Sequence, residues 1–176
     1  MTKLITCVLL GLIASLSTAA FADEQPSQLA GFQRAVGKWV NSERIRDSRD
    51  ATWETGESEW VVRFMPGGLV VETPGQMKLG DNPTVSWVQV WGIDPTNGNP
   101  FSRWFTNDGA NGNANFEWSD RTVKAELTVT AANGSQNKEQ CDWTFGADFN
   151  TASLVCRRQS GDAWWVFREA NGKRSD

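Results

Sequence analysis

The chain has no histidine and no tyrosine among its 176 residues. Without imidazole there is no Ser/His or Cys/His nucleophile, no imidazole zinc or copper site and no His-ligated haem. Long hydrophobic runs are also missing. The apolar stretch Leu4–Leu16 has about 13 residues, against the roughly 20 that a membrane-spanning helix needs, and no later stretch is longer. Basic residues are not in excess, at 17 against 21 acidic ones. Nothing here builds the basic face that nucleic acid or an anionic membrane requires, so neither is an expected partner. No spacing of chemical side chains matches a catalytic or metal-binding motif, and neither cofactor nor metal is expected.

Lys3, the apolar stretch after it and Ala20-Phe21-Ala22 have the order of a secretory signal cleaved before Asp23. Residues 1–22 are therefore expected to be a signal peptide that discards Cys7, and 23–176 a single periplasmic or secreted domain without a membrane anchor. A domain of this length buries a sizeable core. Its oligomeric state is left open.

What the chain has in abundance is large aromatics, ten tryptophans and nine phenylalanines. Pro26–Val36 spaces Leu29, Phe32 and Val36 on one helical face, with Gly37 just beyond. After it come short runs of β-branched and aromatic residues, expected near 38–46, 55–65, 68–73, 84–93, 100–107, 113–119, 121–131, 136–146, 150–158 and 163–169. Turn signals separate them, among them Pro66-Gly67-Gly68, Pro74-Gly75, Asn97-Gly98, Asn133-Gly134 and Ser160-Gly161. No gap holds a crossover helix. The expected fold is all-β, an antiparallel meander of about ten strands closed into a barrel, because closure removes exposed edges. Thr122–Thr130 alternates most cleanly, with Val123, Ala125, Leu127 and Val129 on the dry side.

The hairpin Thr84–Asn107 is the candidate site. Pairing Ile93 with Phe101 puts Trp87, Gln89, Trp91, Arg103 and Phe105 on one face, and Val88, Val90, Gly92, Trp104 and Thr106 on the other. Aromatic walls with an amide and a guanidinium are the composition of a small-molecule pocket, and Trp118, alternating with Glu117, joins the candidate lining. If that face points outward, the same residues are a surface with Arg103 lying over Trp91.

Cys141 and Cys156 are the cysteines that remain after signal cleavage. A register placing Ala147 opposite Asn150 sets them directly across from each other, along with Trp143 opposite Leu154, so a disulfide is expected. Glu72, Asp108 and Glu117 are the carboxylates nearest apolar or loop contexts, though no spacing brings two of them together. Arg44, Arg46 and Arg49, interleaved with Glu43, Asp47 and Asp50, read as a solvated strand end. Asn107–Asn113 lacks the ligand alternation of an EF-hand and reads as a hairpin loop. Asn133-Gly134-Ser135 matches a glycosylation acceptor but reads first as a turn.

The helix followed by Gly37-x-Trp39, the meander, and Arg168 in the last strand together resemble the calycins, the lipocalin-like barrels. That resemblance implies a structural cation–π closure between Trp39 and Arg168. More closely, Gly37-x-Trp39, Gly67-Gly68-Leu69-Val70-Val71-Glu72, Val90-Trp91-Gly92-Ile93-Asp94-Pro95, Arg103-Trp104-Phe105 and Asp108-Gly109 resemble the bacterial lipocalin-like family classed as domain of unknown function 1579, which implies no assigned reaction. The expected function is binding of a small apolar or aromatic molecule. The alternatives are a carboxylate enzyme (isomerase, cyclase or hydrolase) and a filled barrel serving as a protein-interaction module.

Overall fold

The N-terminal helix α1 covers Ser27–Ala35 and buries Leu29, Phe32 and Ala35. Val36, expected on that face, is 39% exposed, because the helix ends one residue earlier and Gly37, at φ 137°, turns the chain into the first strand. The structure is a computed structural model and describes residues 27–175. The expected signal segment and its cleavage site lie outside them.

Eleven strands follow: β1 (Gly37–Ile45), β2 (Glu54–Phe64), β3 (Val70–Glu72), β4 (Gly75–Leu79), β5 (Val85–Ile93), β6 (Pro100–Thr106), β7 (Asn111–Ser119), β8 (Thr122–Thr130), β9 (Gln136–Phe145), β10 (Thr151–Ser160) and β11 (Ala163–Arg174). Each pairs antiparallel with its neighbours, and β1 pairs with both β2 and β11, which closes the sheet. β3 and β4 occupy one position between β2 and β5. Pro74 has no N–H, so the ladder skips there, yet its carbonyl accepts from Val61 N at 3.0 Å and Thr73 N donates to Gln89 O at 2.7 Å. Pro74-Gly75 is therefore an interruption within a strand and not the turn that its composition suggests. Among the described residues, the fold is a ten-position closed antiparallel barrel with one short helix.

Two further departures decide where side chains point. Pro100 is the first residue of β6, a position that needs no N–H, so Ile93 pairs with Pro100 and not with Phe101. The turn is held by the Asp94 carboxylate, which accepts from the Thr96 N–H and hydroxyl and from Asn97 Nδ2. A one-residue slip reverses a strand's faces. Ser102, Trp104 and Thr106 thus join Trp87, Gln89 and Trp91 inside, while Arg103 and Phe105 face out.

The last strand also runs to Arg174, well past the expected end at 169. Trp39 pairs across the ladder with Arg174, whose guanidinium carbon lies 5.4 Å from an indole ring centroid of Trp39. The closing arginine is Arg174, not Arg168. Arg168 pairs with Ile45, six residues back along β11 and about 20 Å away along the strand.

The end of the barrel beneath α1 is filled with rings. Phe32 packs 5.2 Å from Trp91 and 4.7 Å from Trp118, and Trp118 stacks on Phe145 at 5.5 Å. Trp39 Nε1 donates to Ala35 O at 2.9 Å and so ties β1 to the helix end. Gly31 rests against the Trp118 indole, where an added Cβ would come within 2.0 Å of the ring. Cys141 and Cys156 are paired in register and form the expected disulfide.

Candidate functional site

Above this aromatic floor lies a partly open cavity of about 80 Å³. Trp60, Trp87, Trp91 and Trp143 form its walls, and Asn41, Gln89 and Arg168 are the long polar side chains on it. Strand alternation places each of them. β1 turns Trp39, Asn41 and Glu43 inward, β5 turns Trp87, Gln89 and Trp91 inward, and β9 does the same with Glu139, Cys141 and Trp143. Trp60, Trp87 and Trp143 are only partly buried although they face the interior. Gly75, opposite Trp87, makes room for its indole, since a Cβ would stand 2.3 Å from Cζ2.

The polar side chains are tied into the wall by specific bonds. Gln89 Nε2 donates to Ser102 Oγ at 2.8 Å, and Trp91 Nε1 donates to Thr73 Oγ1 at 3.1 Å. Asn41 Nδ2 donates to Ser58 Oγ at 2.8 Å, and that hydroxyl donates to Glu43 Oε1 at 2.6 Å. Glu43 receives Arg168 on both oxygens, Nε at 3.0 Å and Nη2 at 2.8 Å. Its side chain is 0% exposed and that of Arg168 25%. Glu43 thus belongs to the barrel interior and not to a solvated strand end. It sits on the inward side of β1, two steps from Trp39.

A second pair lies alongside. Glu139 Oε1 accepts from Arg158 Nε at 2.9 Å and from Nη2 at 2.8 Å. Burial pushes the Glu139 carboxyl above its usual range, against the opposing pull of Arg158 and Arg168. Burial also works against the charge of Arg168, but Glu43 and Glu139 outweigh it, and the guanidinium is held more firmly protonated than usual.

Of the residues selected from sequence, Trp87, Gln89 and Trp91 come together on the cavity. Arg103 lies outside, 5.6 Å from the Phe101 ring centroid, and Phe105 is 61% exposed on the same outer face. Trp118 belongs to the floor. Glu72 pairs with Arg63 at 2.9 Å away from the cavity, and Glu117 is exposed. Asp108 is drawn below its usual range by the Thr106 hydroxyl and the Ala110 N–H within its turn. None of the three is a carboxylate beside the cavity. Among the described residues Glu43 and Glu139 are the interior ones; the sequence reading set Glu43 on a solvated strand end, placed Trp143 only in the β9–β10 apolar face, and did not single out Glu139, Asn41 or Trp60. For Asn41 and Glu43 a signal existed, because they share the two-residue period of buried Trp39.

No protein-family model and no curated protein matches this sequence. Among solved structures, Rv2717c from M. tuberculosis superposes with a TM-score of 0.65 at 11% identity, covering 87% of this chain and 100% of its own. The S-type phycobiliprotein lyase CPES from Guillardia theta follows with a TM-score of 0.54 at 9% identity, covering 82% of this chain and 90% of its own. What they share is the fold. At these identities the likeness carries the barrel and none of the side-chain chemistry.

Proposed function

We propose that the protein binds a small, largely apolar or aromatic molecule inside the barrel, and does so in the periplasm or outside the cell. One observation carries this reading. Inward-facing indoles stand around water-reachable space instead of packing it shut, and an amide and a guanidinium lie at its edge. The disulfide supports an oxidising compartment. The likeness of fold to the phycobiliprotein lyase is consistent with a barrel that receives a small molecule. Kinship with the bacterial lipocalin-like family of unknown function 1579 is proposed on motif order alone.

The cavity volume restricts the occupant. Drug-sized ligands occupy roughly 300–1,000 Å³, and an apolar cavity of about 150 Å³ takes benzene. A single ring therefore enters by displacing Trp87 or Trp143 somewhat, or by standing partly in the mouth. Titration with small aromatic probes such as benzyl alcohol and indole-free naphthols, followed by tryptophan emission, tests this. A saturable change is expected, and emission that stays constant up to the solubility limit of every probe overturns it.

A second reading, a protein-interaction surface, is favoured by the outer face of β5 and β6. There Val88 and Phe105 are cross-strand neighbours, 44% and 61% exposed. It gains the weight that an unresponsive interior would lose.

A further inference from the structure

A guanidinium has five N–H donors in a rigid planar fork. Glu43 takes those on Nε and one on Nη2 of Arg168, which leaves Nη1 without a hydrogen bond. This donor is not sealed in protein. Among the described residues, the one buried side-chain nitrogen or oxygen without a partner is Arg174 Nε, so Nη1 of Arg168 touches solvent-accessible space. Arg168 lines the same cavity as Trp87, Gln89 and Trp91. Its orientation is fixed from behind by the chain Asn41, Ser58, Glu43, each hydrogen-bonded to the next. A bulge in β11 at Phe167 helps to aim it, since the ladder with β10 shifts register between Cys156 and Arg157.

The neighbouring charges set how much negative charge such a site accepts. Arg158 is held by Glu139 and lies 4.3 Å over the Phe167 ring. Glu43 and Glu139 balance Arg168 and Arg158, so the cluster is neutral before a ligand arrives. One added negative charge is compensated by the open donors of a preorganised guanidinium, and a second meets two buried carboxylates.

We propose that the ligand of this barrel is a small aromatic carboxylate, its ring among the indoles and its single negative charge received by the edge of Arg168 that Glu43 leaves open. The inference rests on the reading that the interior binds a small molecule, and it adds the chemical class. A neutral amide of the same shape offers Nη1 one carbonyl oxygen and no charge, whereas a carboxylate offers a charge-assisted hydrogen bond. That difference is the source of selectivity.

Calorimetric titration of the mature chain with benzoate and benzamide tests the inference, because the two share ring and size and differ in charge. Benzoate is expected to bind at least about tenfold more tightly. In Glu43→Gln/Arg168→Met, where both charges are removed together so that neither is stranded, the ratio is expected to fall to about one. Should that variant fail to fold, Arg168→Lys keeps the pairing with Glu43 and loses the second edge, and the ratio is expected to drop there as well. Equal binding of both compounds to the native protein overturns the carboxylate assignment and leaves small-molecule binding intact. Binding of neither overturns both. A benzoate preference that survives at full size in the folded variants overturns the role of Arg168.

Discussion

Two glutamates point into this barrel, and their surroundings differ. Glu43 is met by Ser58 and by the Nε and Nη2 edge of Arg168, whereas Glu139 has Arg158 on one oxygen and Leu127 across the ladder. Burial prevails at Glu139 and raises its carboxyl above the ordinary 4.5. The folded state then holds that proton more tightly than the unfolded chain does. Stability contributed by Glu139 therefore increases as pH falls through the raised value and levels off below the ordinary one. Asp94, Asp108 and Asp148 act with the opposite sign. Turn hydrogen bonds lower them, so their contribution is present near neutrality and lost in acid. Comparison with Glu139→Gln cancels the aspartates. The stability of the native chain relative to this variant is expected to rise as pH falls from neutrality toward the ordinary 4.5, read from urea midpoints. A relative stability that falls over this interval would show that Arg158 and Arg168 outweigh burial.

At the scale of elements, the pairing of β9 with β10 was legible because one register satisfied two demands at once, aligning Cys141 with Cys156 and making Trp143, Phe145, Leu154 and Ala152 a continuous apolar face. The bridge spans 15 residues. Replacing both cysteines by serine is expected to lower the unfolding free energy by about 3 kcal/mol, measured by urea denaturation, and an unchanged value would mean that the unfolded chain is not restrained by the bridge. The β5–β6 hairpin was legible as an element and misread by one residue. The expected register sets Ile93 opposite Phe101, while the ladder pairs it with Pro100, and that single step moved Arg103 and Phe105 from the interior to the surface. β11 continues past its expected end at 169, through Asn171-Gly172. Gly172 is in fact required opposite Asn41, whose Oδ1 would lie 2.0 Å from a Cβ. The longer strand brings Arg174 to Trp39 and to the carbonyl of Arg34 at the end of α1. Arg174→Met is expected to cost about 1–2 kcal/mol of stability and to leave benzoate binding as it was. A loss of binding without a loss of stability would reverse the roles assigned to Arg174 and Arg168.

For the whole molecule, closure follows from alternation repeated around ten positions, and that repetition is why the barrel could be read from sequence while its contents could not. A polar residue within a strand looks like a solvent position whether it faces water outside or a cavity inside. Glu139 therefore carries no local mark of burial, and Asn41 and Glu43 carry only the two-residue period they share with Trp39. Likewise the count of ten tryptophans does not tell rings that fill the floor, such as Trp39 and Trp118, from those that stand around space. The distinction can be measured directly, since each indole N–H gives its own signal in a ¹H–¹⁵N correlation spectrum. On titration with benzoate, the account predicts that the signals of Trp60, Trp87, Trp91 and Trp143 shift together along one saturable curve, while those of Trp53 and Trp164 at the rim stay in place. Shifts confined to the rim tryptophans, or no saturable shift at the four interior ones, would contradict it.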